Sequence, residues 1–359
     1  MKVVLKNIVL GCVLLMLAGA SMAQRVVLAM PDDAGVWVRW TSPNLKNKNG
    51  INIYRQEAGG GEWKLLNEKP FTYGQADLSA AISQNPGLKR AKDLADGMRD
   101  KDKLEGIGLA LVLTNAVESR EFSNYLGIIY QDKAAQPGKE YSYEVREVSG
   151  ASETSYGKSS LVKAGKLQRG AAPTEVKTKE GDGKLYFSWN PDQSRLTGAH
   201  VYYRLGGGNW QRFNKKIILP SKLPQKGGED KFPEWLYFAD SLQNGTTYTC
   251  MIKGVDFFGF ETEASSEFKL TPVDKTPPAQ VDKFELKADV DKVIATWDLP
   301  KAKGVEGFNL YRLQSSDSIF TKLNKQPLPV SLRKYEETVP EVGIAYTYAI
   351  GTIDKAGNE

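Results

Sequence analysis

Apolar and polar residues alternate along much of the chain after residue 24, and this period of two predicts short, half-buried strands. The segment RVVLAM (25–30) reaches a Pro- and Gly-containing turn before VWVRW (36–40), and INIYRQ (51–56) follows. A glycine triplet, Gly59 to Gly61, then leads into EWKLLN (62–67). Glycines between two alternating segments are typical of a hairpin turn. The pattern therefore predicts a mainly β structure.

One stretch of this pattern occurs three times. A Trp is followed fourteen residues later by a Tyr-Arg pair, and an Asn comes after the next turn. The members are Trp40, Tyr54 and Asn67; Trp189, Tyr203 and Asn214; and Trp297, Tyr311 and Asn324. A pattern that returns at fixed spacing indicates one supersecondary unit used three times.

Residues 75–124 interrupt the first unit, because the composition changes there to many Ala, Leu, Lys, Asp and Glu. Three helices are predicted, over 77–82, 88–98 and 102–118, with a break at Asn85-Pro86-Gly87. The distance from the repeat Asn to the next strand Tyr supports an insertion. It is 74 residues in the first unit (67 to 141), 34 in the second (214 to 248) and 22 in the third (324 to 346). The first unit thus carries about 50 extra residues relative to the third, and the second about a dozen, in 220–233.

A late motif suggests the family. The third unit carries it as Tyr346, Tyr348, Ile350, Thr352, Asp354 and Gly357. The second carries Tyr248, Cys250, Ile252, Gly254, Asp256 and Gly259, and the first carries Tyr141, Tyr143 and Val145 with Ser149 in place of the Asp. Together with the early Trp and the Tyr-Arg strand, this resembles a fibronectin type III domain. The resemblance implies three tandem immunoglobulin-like β-sandwiches, core roles for Trp40, Trp189 and Trp297, and tyrosine corners at Tyr141, Tyr248 and Tyr346.

The predicted domains are 24–166 with the helical insertion at about 75–124, 172–273, and 278–359. Gly165 to Ala172 reads as a linker, and Lys275-Thr276-Pro277-Pro278 as a stiff boundary. The second unit has a further strand, SSEFKLTP (265–272), that the third lacks. We expect either that the chain is part of a longer protein or that a partner donates this strand.

Residues 1–23 have the pattern of a secretory signal peptide: Lys2 and Lys6, an apolar run from Ile8 to Leu17, and a small-residue cleavage site at 21–23. A lipoprotein interpretation at Cys12 is weaker, because the apolar run continues past it. The signal fits export in a Gram-negative bacterium, to the periplasm, the outer-membrane surface or the medium. No later segment approaches the roughly 18 apolar residues of a membrane span.

The charge and the residue counts limit the kinds of binding site and catalytic site that the chain can contain. The formal charge of +5 falls to +3 when Lys2 and Lys6 are removed (5 − 2), and mixed charges of this size do not favour nucleic-acid binding. Cleavage leaves Cys250 alone, so the mature chain has no internal disulfide, and we expect a small buried apolar residue there. The only His, His200, is expected on a strand surface. Asp289 and Asp291 favour a surface hairpin over a calcium loop. No motif indicates a catalytic site, a metal or a cofactor.

Two features could bind a partner. Phe257, Phe258 and Phe260 lie in the loop between the last two strands of the second unit, and such loops often carry recognition. The other feature is the insertion, whose segment 104–113 is apolar on nearly every side and is expected to be buried. Its end would place Glu118, Arg120 and Glu121 at the rim of an interface. The alternatives are that Phe257 or Phe258 packs on the neighbouring domain and that the helix end is simply solvated.

The sequence therefore favours a non-catalytic, exported, modular binding or spacer protein that mediates protein–protein or cell-surface interactions. Its partner would be another protein or a cell-surface glycan, with possible association with an outer-membrane or surface complex. The alternative is the accessory region of a larger secreted polysaccharide-degrading enzyme whose catalytic domain lies beyond residue 359. A catalytic site between the insertion and the sandwich loops is the least favoured hypothesis, because no residue constellation supports it.

Overall fold

The computed structural model describes residues 26–40, 50–99, 106–193, 196–220, 222–223 and 228–359. The predicted signal peptide and the predicted start of the third helix, 102–105, lie outside these residues. The chain divides into two compact units. The first comprises 1–179, 186–239 and 247–270, and the second 180–185, 240–246 and 271–359.

The first sandwich consists of two antiparallel sheets. One has the order β1-β2-β5, and the other has the order β4-β3-β6-β7 with β8 also paired to β6. Its strands are β1 Val27–Asp32, β2 Gly35–Trp40, β3 Ile51–Glu57, β4 Lys64–Leu65, β5 Ile129–Asp132, β6 Glu140–Ser149, β7 Ser152–Lys158 and β8 Val162–Lys163. Residues of alternating strand positions, such as Val36, Val38 and Ile53, point inward and are fully buried.

Among the described residues, four helices lie between β4 and β5. They are α1 Ser79–Gln84, α2 Gly87–Met98, α3 Gly106–Glu118 and α4 Arg120–Tyr125. The Ser119 side chain caps α4 by accepting a hydrogen bond from the Phe122 N–H. Leu88, Val112 and Phe122 belong to the same buried cluster as the sandwich residues Val38 and Tyr143. The helices and the first sandwich therefore share one core.

The second sandwich repeats this plan. One sheet has the order β13-β10-β9, and the other β12-β11-β14-β15 with β16 also on β14. The strands are β9 Lys177–Gly181, β10 Lys184–Ser188, β11 Leu196–Leu205, β12 Gln211–Arg212, β13 Tyr237–Ala239, β14 Tyr248–Asp256, β15 Glu261–Ala264 and β16 Phe268–Leu270.

The third sandwich has the sheets β17-β18-β22 and β20-β19-β21, with β23 also paired to β19. The strands are β17 Asp282–Ala288, β18 Lys292–Asp298, β19 Gly307–Gln314, β20 Thr321–Lys322, β21 Leu328–Pro329, β22 Lys334–Thr338 and β23 Tyr346–Ile353. Within the described residues, β23 pairs with β19 alone, whereas β6 and β14 are paired on both edges. The turn before β18 contains Asp289 and Asp291, and both are exposed, as expected for a surface hairpin.

In all three sandwiches a hairpin and one later strand form one sheet, and the remaining strands form the other. This is the strand arrangement of the fibronectin type III fold, so the predicted fold class is confirmed. The three repeat tryptophans Trp40, Trp189 and Trp297 are each 2% exposed, as the resemblance implied. Two of the implied tyrosine corners have the expected bond to backbone five residues upstream: Tyr141 to the Gln136 N–H and Tyr346 to Glu341.

The repeat asparagines hold each sandwich together at the same point. Each side-chain oxygen accepts the N–H of a buried strand residue at 2.7–2.8 Å, and each amide group donates to backbone carbonyls. The three pairs are Asn67 with Ile53, Asn214 with Val201, and Asn324 with Leu310. These bonds satisfy buried backbone groups that would otherwise be costly.

The same bonds correct the repeat spacing. Tyr54 and Tyr311 directly follow the residues that bond the Asn, and in the second sandwich that position is Tyr202, not Tyr203. Trp189 is thus thirteen residues before its equivalent tyrosine, one fewer than in the other units. The fourteen-residue match at Tyr203-Arg204 arises because two tyrosines are adjacent on β11.

Candidate partner-binding site

The aromatic loop of the second sandwich is a tight turn built on Asp256. One Asp256 carboxylate oxygen accepts the N–H groups of Phe258 at 2.8 Å and Phe260 at 2.9 Å. Gly259 closes the turn with a φ of +80°, a conformation that favours glycine. The Phe258 ring is consequently turned inward and is only 3% exposed. In the third sandwich, Asp354 makes the corresponding bond to the Asn358 N–H. The first sandwich needs no such Asp, because β6 and β7 meet in a shorter hairpin in which Ser149 faces Ser152.

The junction between α3 and α4 lies against this turn. The Arg120 guanidinium carbon is 4.2 Å from the centre of the Phe260 ring and 5.1 Å from that of Trp37 on β2. A guanidinium between two aromatic faces gains both cation–π attraction and packing. Arg120 therefore joins the first sandwich to the turn of the second.

Glu118, the last residue of α3, binds a second segment of the second sandwich. One carboxylate oxygen accepts the Ile217 N–H at 2.7 Å, and the other accepts the Lys216 ammonium at 2.6 Å. Only 15% of the Glu118 side chain is exposed, so the charged bond to the backbone is shielded from water. Glu118 is thus bonded within the chain.

An apolar contact completes the junction. Val117, Ile217 and Val255 form a small buried cluster with Leu219 packed against it. Gly259 lies so close to α3 that a Cβ atom added there would be 2.4 Å from the Val117 carbonyl oxygen. This approach requires glycine, for space as well as for backbone conformation.

Charges beneath the junction are buried. Arg39 on β2 donates to the Ala116 carbonyl at 3.2 Å and to the Ser123 hydroxyl at 3.0 Å. Burial lowers the pKa of Arg39 to about 10, and the nearby Asp256 carboxylate partly offsets this. Burial raises the pKa of Asp256, opposed by its two backbone N–H bonds and by Arg120 and Arg39. Both side chains are therefore held where charge is costly unless the helices and the turn stay together.

The two features that the sequence offered separately are thus one contact. Glu118, Arg120 and Phe260 make contacts within the chain, and Phe258 is buried. The loop ring that packs on Arg120 of the neighbouring domain is Phe260, whereas the alternative named Phe257 or Phe258. Two candidates remain toward solvent: Phe257 is half-buried, and Glu121 is exposed in the first turn of α4, where it also accepts the Ser119 hydroxyl. Binding of an external partner by the six residues stays a prediction.

His200 and Cys250 are structural side chains. His200 was expected on a strand surface, but it is 8% exposed, with Nδ1 2.8 Å from Glu261 and Nε2 3.2 Å from Arg212. The ring lies between Glu261 on β15 and Arg212 on β12, which the sequence pattern did not reveal. Cys250 is fully buried, as predicted, and burial raises the pKa of its thiol to about 12. Within the described residues, no group of three or more His, Cys, Asp or Glu is placed to hold a metal ion.

A glutamate that the sequence analysis missed recurs in all three sandwiches. Its carboxylate accepts hydrogen bonds from a tyrosine hydroxyl on β3, β11 or β19 and is bonded to the side chain two residues before that tyrosine. The three sets are Glu153 with Tyr54 and Asn52; Glu261 with Tyr202 and His200; and Glu359 with Tyr311 and Asn309. Glu261 and Glu359 each follow the motif Asp by five residues, and that spacing could have identified them.

No family model and no curated protein matches the sequence. Solved structures do match. The crystal structure of chicken CNTN1 FN1–FN3 domains is 13% identical, with 93% of each chain covered and a TM-score of 0.27. A two-domain fibronectin type III segment of chicken tenascin is 11% identical, with 53% of this chain and 95% of that chain covered and a TM-score of 0.29. Both are tandem fibronectin type III structures, and the three sandwiches described above have that fold by their own strand order. No described helix is long and apolar enough to cross a membrane.

Proposed function

We propose that this chain is an exported, non-catalytic modular protein that acts as a spacer and binding scaffold at the cell surface or in the periplasm. Its helical segment would serve as an internal brace that joins the first two sandwiches into one stiff body. A stiff body holds a partner at a defined distance, whereas sandwiches on a free linker would not.

The observation that carries this proposal is the bonding of α3 and α4 to two separate segments of the second sandwich. Glu118 binds the Lys216–Ile217 segment, and Arg120 packs on Phe260. Linkers between independent domains do not need bonds of this kind, because relative motion is the default for modules with small polar interfaces. The helices thus support a role in fixing domain geometry.

The brace can be tested by measuring a distance between the two sandwiches. Spin labels would be placed at Ala151, exposed in a turn, and Asn209, exposed just before β12, through Ala151→Cys and Asn209→Cys in a Cys250→Ala background. We expect one narrow distance distribution in the otherwise unchanged chain. Glu118→Ala combined with Arg120→Ala should broaden it, because the charged bond and the stacking contact are both lost.

Glu121→Ala is the matched control, since Glu121 lies in the same helix junction but is exposed and accepts its hydrogen bond from Ser119 of that junction. A broad distribution before any substitution, or equal widths in the double variant and the parent, would contradict the brace.

The export part of the proposal has its own experiment. The chain with residues 1–23 should be found outside the cytoplasm of a Gram-negative host, with an intact mass that begins at Gln24. A variant with Leu14→Arg and Leu15→Arg, which places two charges in the apolar run, should stay uncleaved in the cytoplasm. Retention of the unaltered chain at full mass would refute export.

A further inference from the structure

The second sandwich carries an aromatic surface that the helix junction does not use. Tyr186 on β10 has its ring centre 5.9 Å from that of Trp235 and 6.1 Å from that of Phe238 on β13. Leu185 and Phe187, the neighbours of Tyr186, are fully buried, so Tyr186 points away from the core. Phe238 is 49% exposed. These three rings, called here the aromatic face, lie on the outer side of one sheet.

The position equivalent to Tyr186 has different surroundings in the other two sandwiches. Counted from the core tryptophans, Trp37, Tyr186 and Ile294 are equivalent, three residues before Trp40, Trp189 and Trp297. Trp37 lies beneath Arg120 at the helix junction. On the third sandwich, Lys292 and Lys334 pair with Glu336 on the neighbouring strands. In the second sandwich, this outer face carries three neighbouring rings, and the extra residues 220–233 come just before Glu234 and Trp235 in the sequence.

Polar groups border the aromatic face. Lys184, two residues before Tyr186, lies 3.7 Å from Asp240, two residues after Phe238. By strand alternation these side chains share the outer face with the rings. A cation beside an anion supplies donors and acceptors without net charge, and Glu234 is exposed next to Trp235.

We propose that the aromatic face binds a neutral saccharide chain. One face of a pyranose ring presents C–H bonds, which pack on the negative π face of an aromatic ring, while its hydroxyls require charged or polar partners at the edge. Tyr186, Trp235 and Phe238 would supply the rings, and Lys184 and Asp240 would bind hydroxyl groups. An acidic polysaccharide would meet the exposed carboxylates of Glu234 and Asp240, so a neutral chain is favoured. This inference rests on the proposed function and names its ligand class.

The test is calorimetric titration of the chain that begins at Gln24 with neutral hexasaccharides: cellohexaose, mannohexaose and N-acetylchitohexaose. We expect at least one to bind, and Phe238→Ala or Trp235→Ala to weaken that binding by about tenfold or more, as the loss of one stacking ring would. Trp210→Ala is the matched control, since Trp210 is a half-buried tryptophan of the same sandwich that stacks with Arg204 away from this face. It should leave the affinity unchanged.

Folding is checked by circular dichroism, and because Phe238 is about half exposed, its truncation keeps the test informative if Trp235→Ala misfolds. Absence of binding to all three sugars would overturn the proposal, as would binding that survives both substitutions or tighter binding of hexagalacturonic acid. The export and distance experiments involve no sugar. A failure of the sugar titration therefore leaves the proposed spacer function standing, and a failure of the export or distance experiment counts against that function alone.

Discussion

The buried asparagines show how one side chain can decide the stability of a sandwich. Asn214 accepts the Val201 N–H at 2.8 Å and donates to the Lys216 carbonyl at 2.8 Å, and the residue is 7% exposed. Asn214→Ala should therefore destabilise the second sandwich by about 2 to 3 kcal/mol, since a buried donor is left without a partner. Urea unfolding of the full chain measures this change.

Asn209→Ala is the comparison, because Asn209 is exposed in the loop just before β12. Its cost should stay within about 0.5 kcal/mol. Equal costs for the two alanines would show that the buried bonds contribute little.

A second residue-scale prediction concerns acid stability. Burial alone would raise the pKa of Glu261, but hydrogen bonds from His200 and Tyr202 and the Lys253 ammonium together lower it to about 2. A folded-state pKa below the unfolded value, about 4.3 for Glu, stabilises the fold above that pH and loses this contribution as the pH falls toward 2. Glu261→Gln should therefore be most destabilising at pH 6 to 7, and the gap to the unaltered chain should close between about pH 5 and pH 2.

The measurement is the urea midpoint at several pH values, with Glu263→Gln as control because Glu263 is exposed on the same strand. A gap between Glu261→Gln and the parent that does not change with pH would rule out the carboxylate's role.

At the residue scale, the sequence predicted burial where it follows from the amino-acid type and the position in the repeat. The three tryptophans and Cys250 are buried as expected. It did not predict partners that come from distant strands: His200 meets Glu261 only because β11, β14 and β15 are neighbours, and Glu118 meets Ile217 across 99 positions. A single sequence contains no signal for such pairs, since they depend on how the elements pack.

At the scale of elements, the turn at Gly259 depends on the helix beside it. Gly259 and Gly357 occupy the same turn of the motif with similar φ values, +80° and +85°. A Cβ at Gly259 would be 2.4 Å from the Val117 carbonyl, whereas nothing lies within 4 Å at Gly357. Gly357→Ala should lower the free energy of unfolding by about 1 to 2 kcal/mol, the cost of holding an alanine in the left-handed backbone conformation. Gly259→Ala should cost about 1 to 3 kcal/mol more, because the turn or the helix must move.

Each cost is read from urea unfolding of the sandwich that carries the glycine. The spin-label distance should also broaden in Gly259→Ala alone. If both variants lose the same free energy of unfolding and the spin-label distance does not change, α3 moves away from the added Cβ without a measurable cost.

Strand and helix placement was largely predictable because alternation and composition differ so clearly between them. The helices α1 and α2 begin within two residues of their predicted starts. The repeat register was not predictable to one residue, since Tyr202 and Tyr203 both fit the pattern and only the Asn214 bond to Val201 distinguishes them. Nor could composition show that the helices share the core of the first sandwich, with Leu88, Val112 and Phe122 inside it. Deleting 75–124 would therefore expose that core, and point substitutions at the junction are the sharper probes.

At the scale of the whole molecule, the division into two compact units predicts how the chain unfolds. The first unit contains the first sandwich, the helices and most of the second sandwich, so its parts should melt together through the contacts of Glu118, Arg120 and Val117. The third sandwich, whose buried apolar cluster consists of Ala295, Trp297, Phe308 and Leu310, should give its own transition. Scanning calorimetry of the unaltered chain should thus show two transitions.

Two variants assign these transitions and test the brace in the same experiment. Phe308→Ala removes a fully buried ring and should cost the third sandwich about 3 to 5 kcal/mol, lowering one transition and leaving the other in place. Glu118→Ala with Arg120→Ala should act on the remaining transition, splitting or broadening it as the first two sandwiches lose their coupling, so that its van't Hoff enthalpy falls below the calorimetric enthalpy. If the double variant only shifts that transition while it stays sharp, the coupling must reside in the apolar contact of Val117, Ile217 and Val255, and the charged junction is not the brace. If three transitions are present before any substitution, the sandwiches unfold independently and a stiff spacer is excluded.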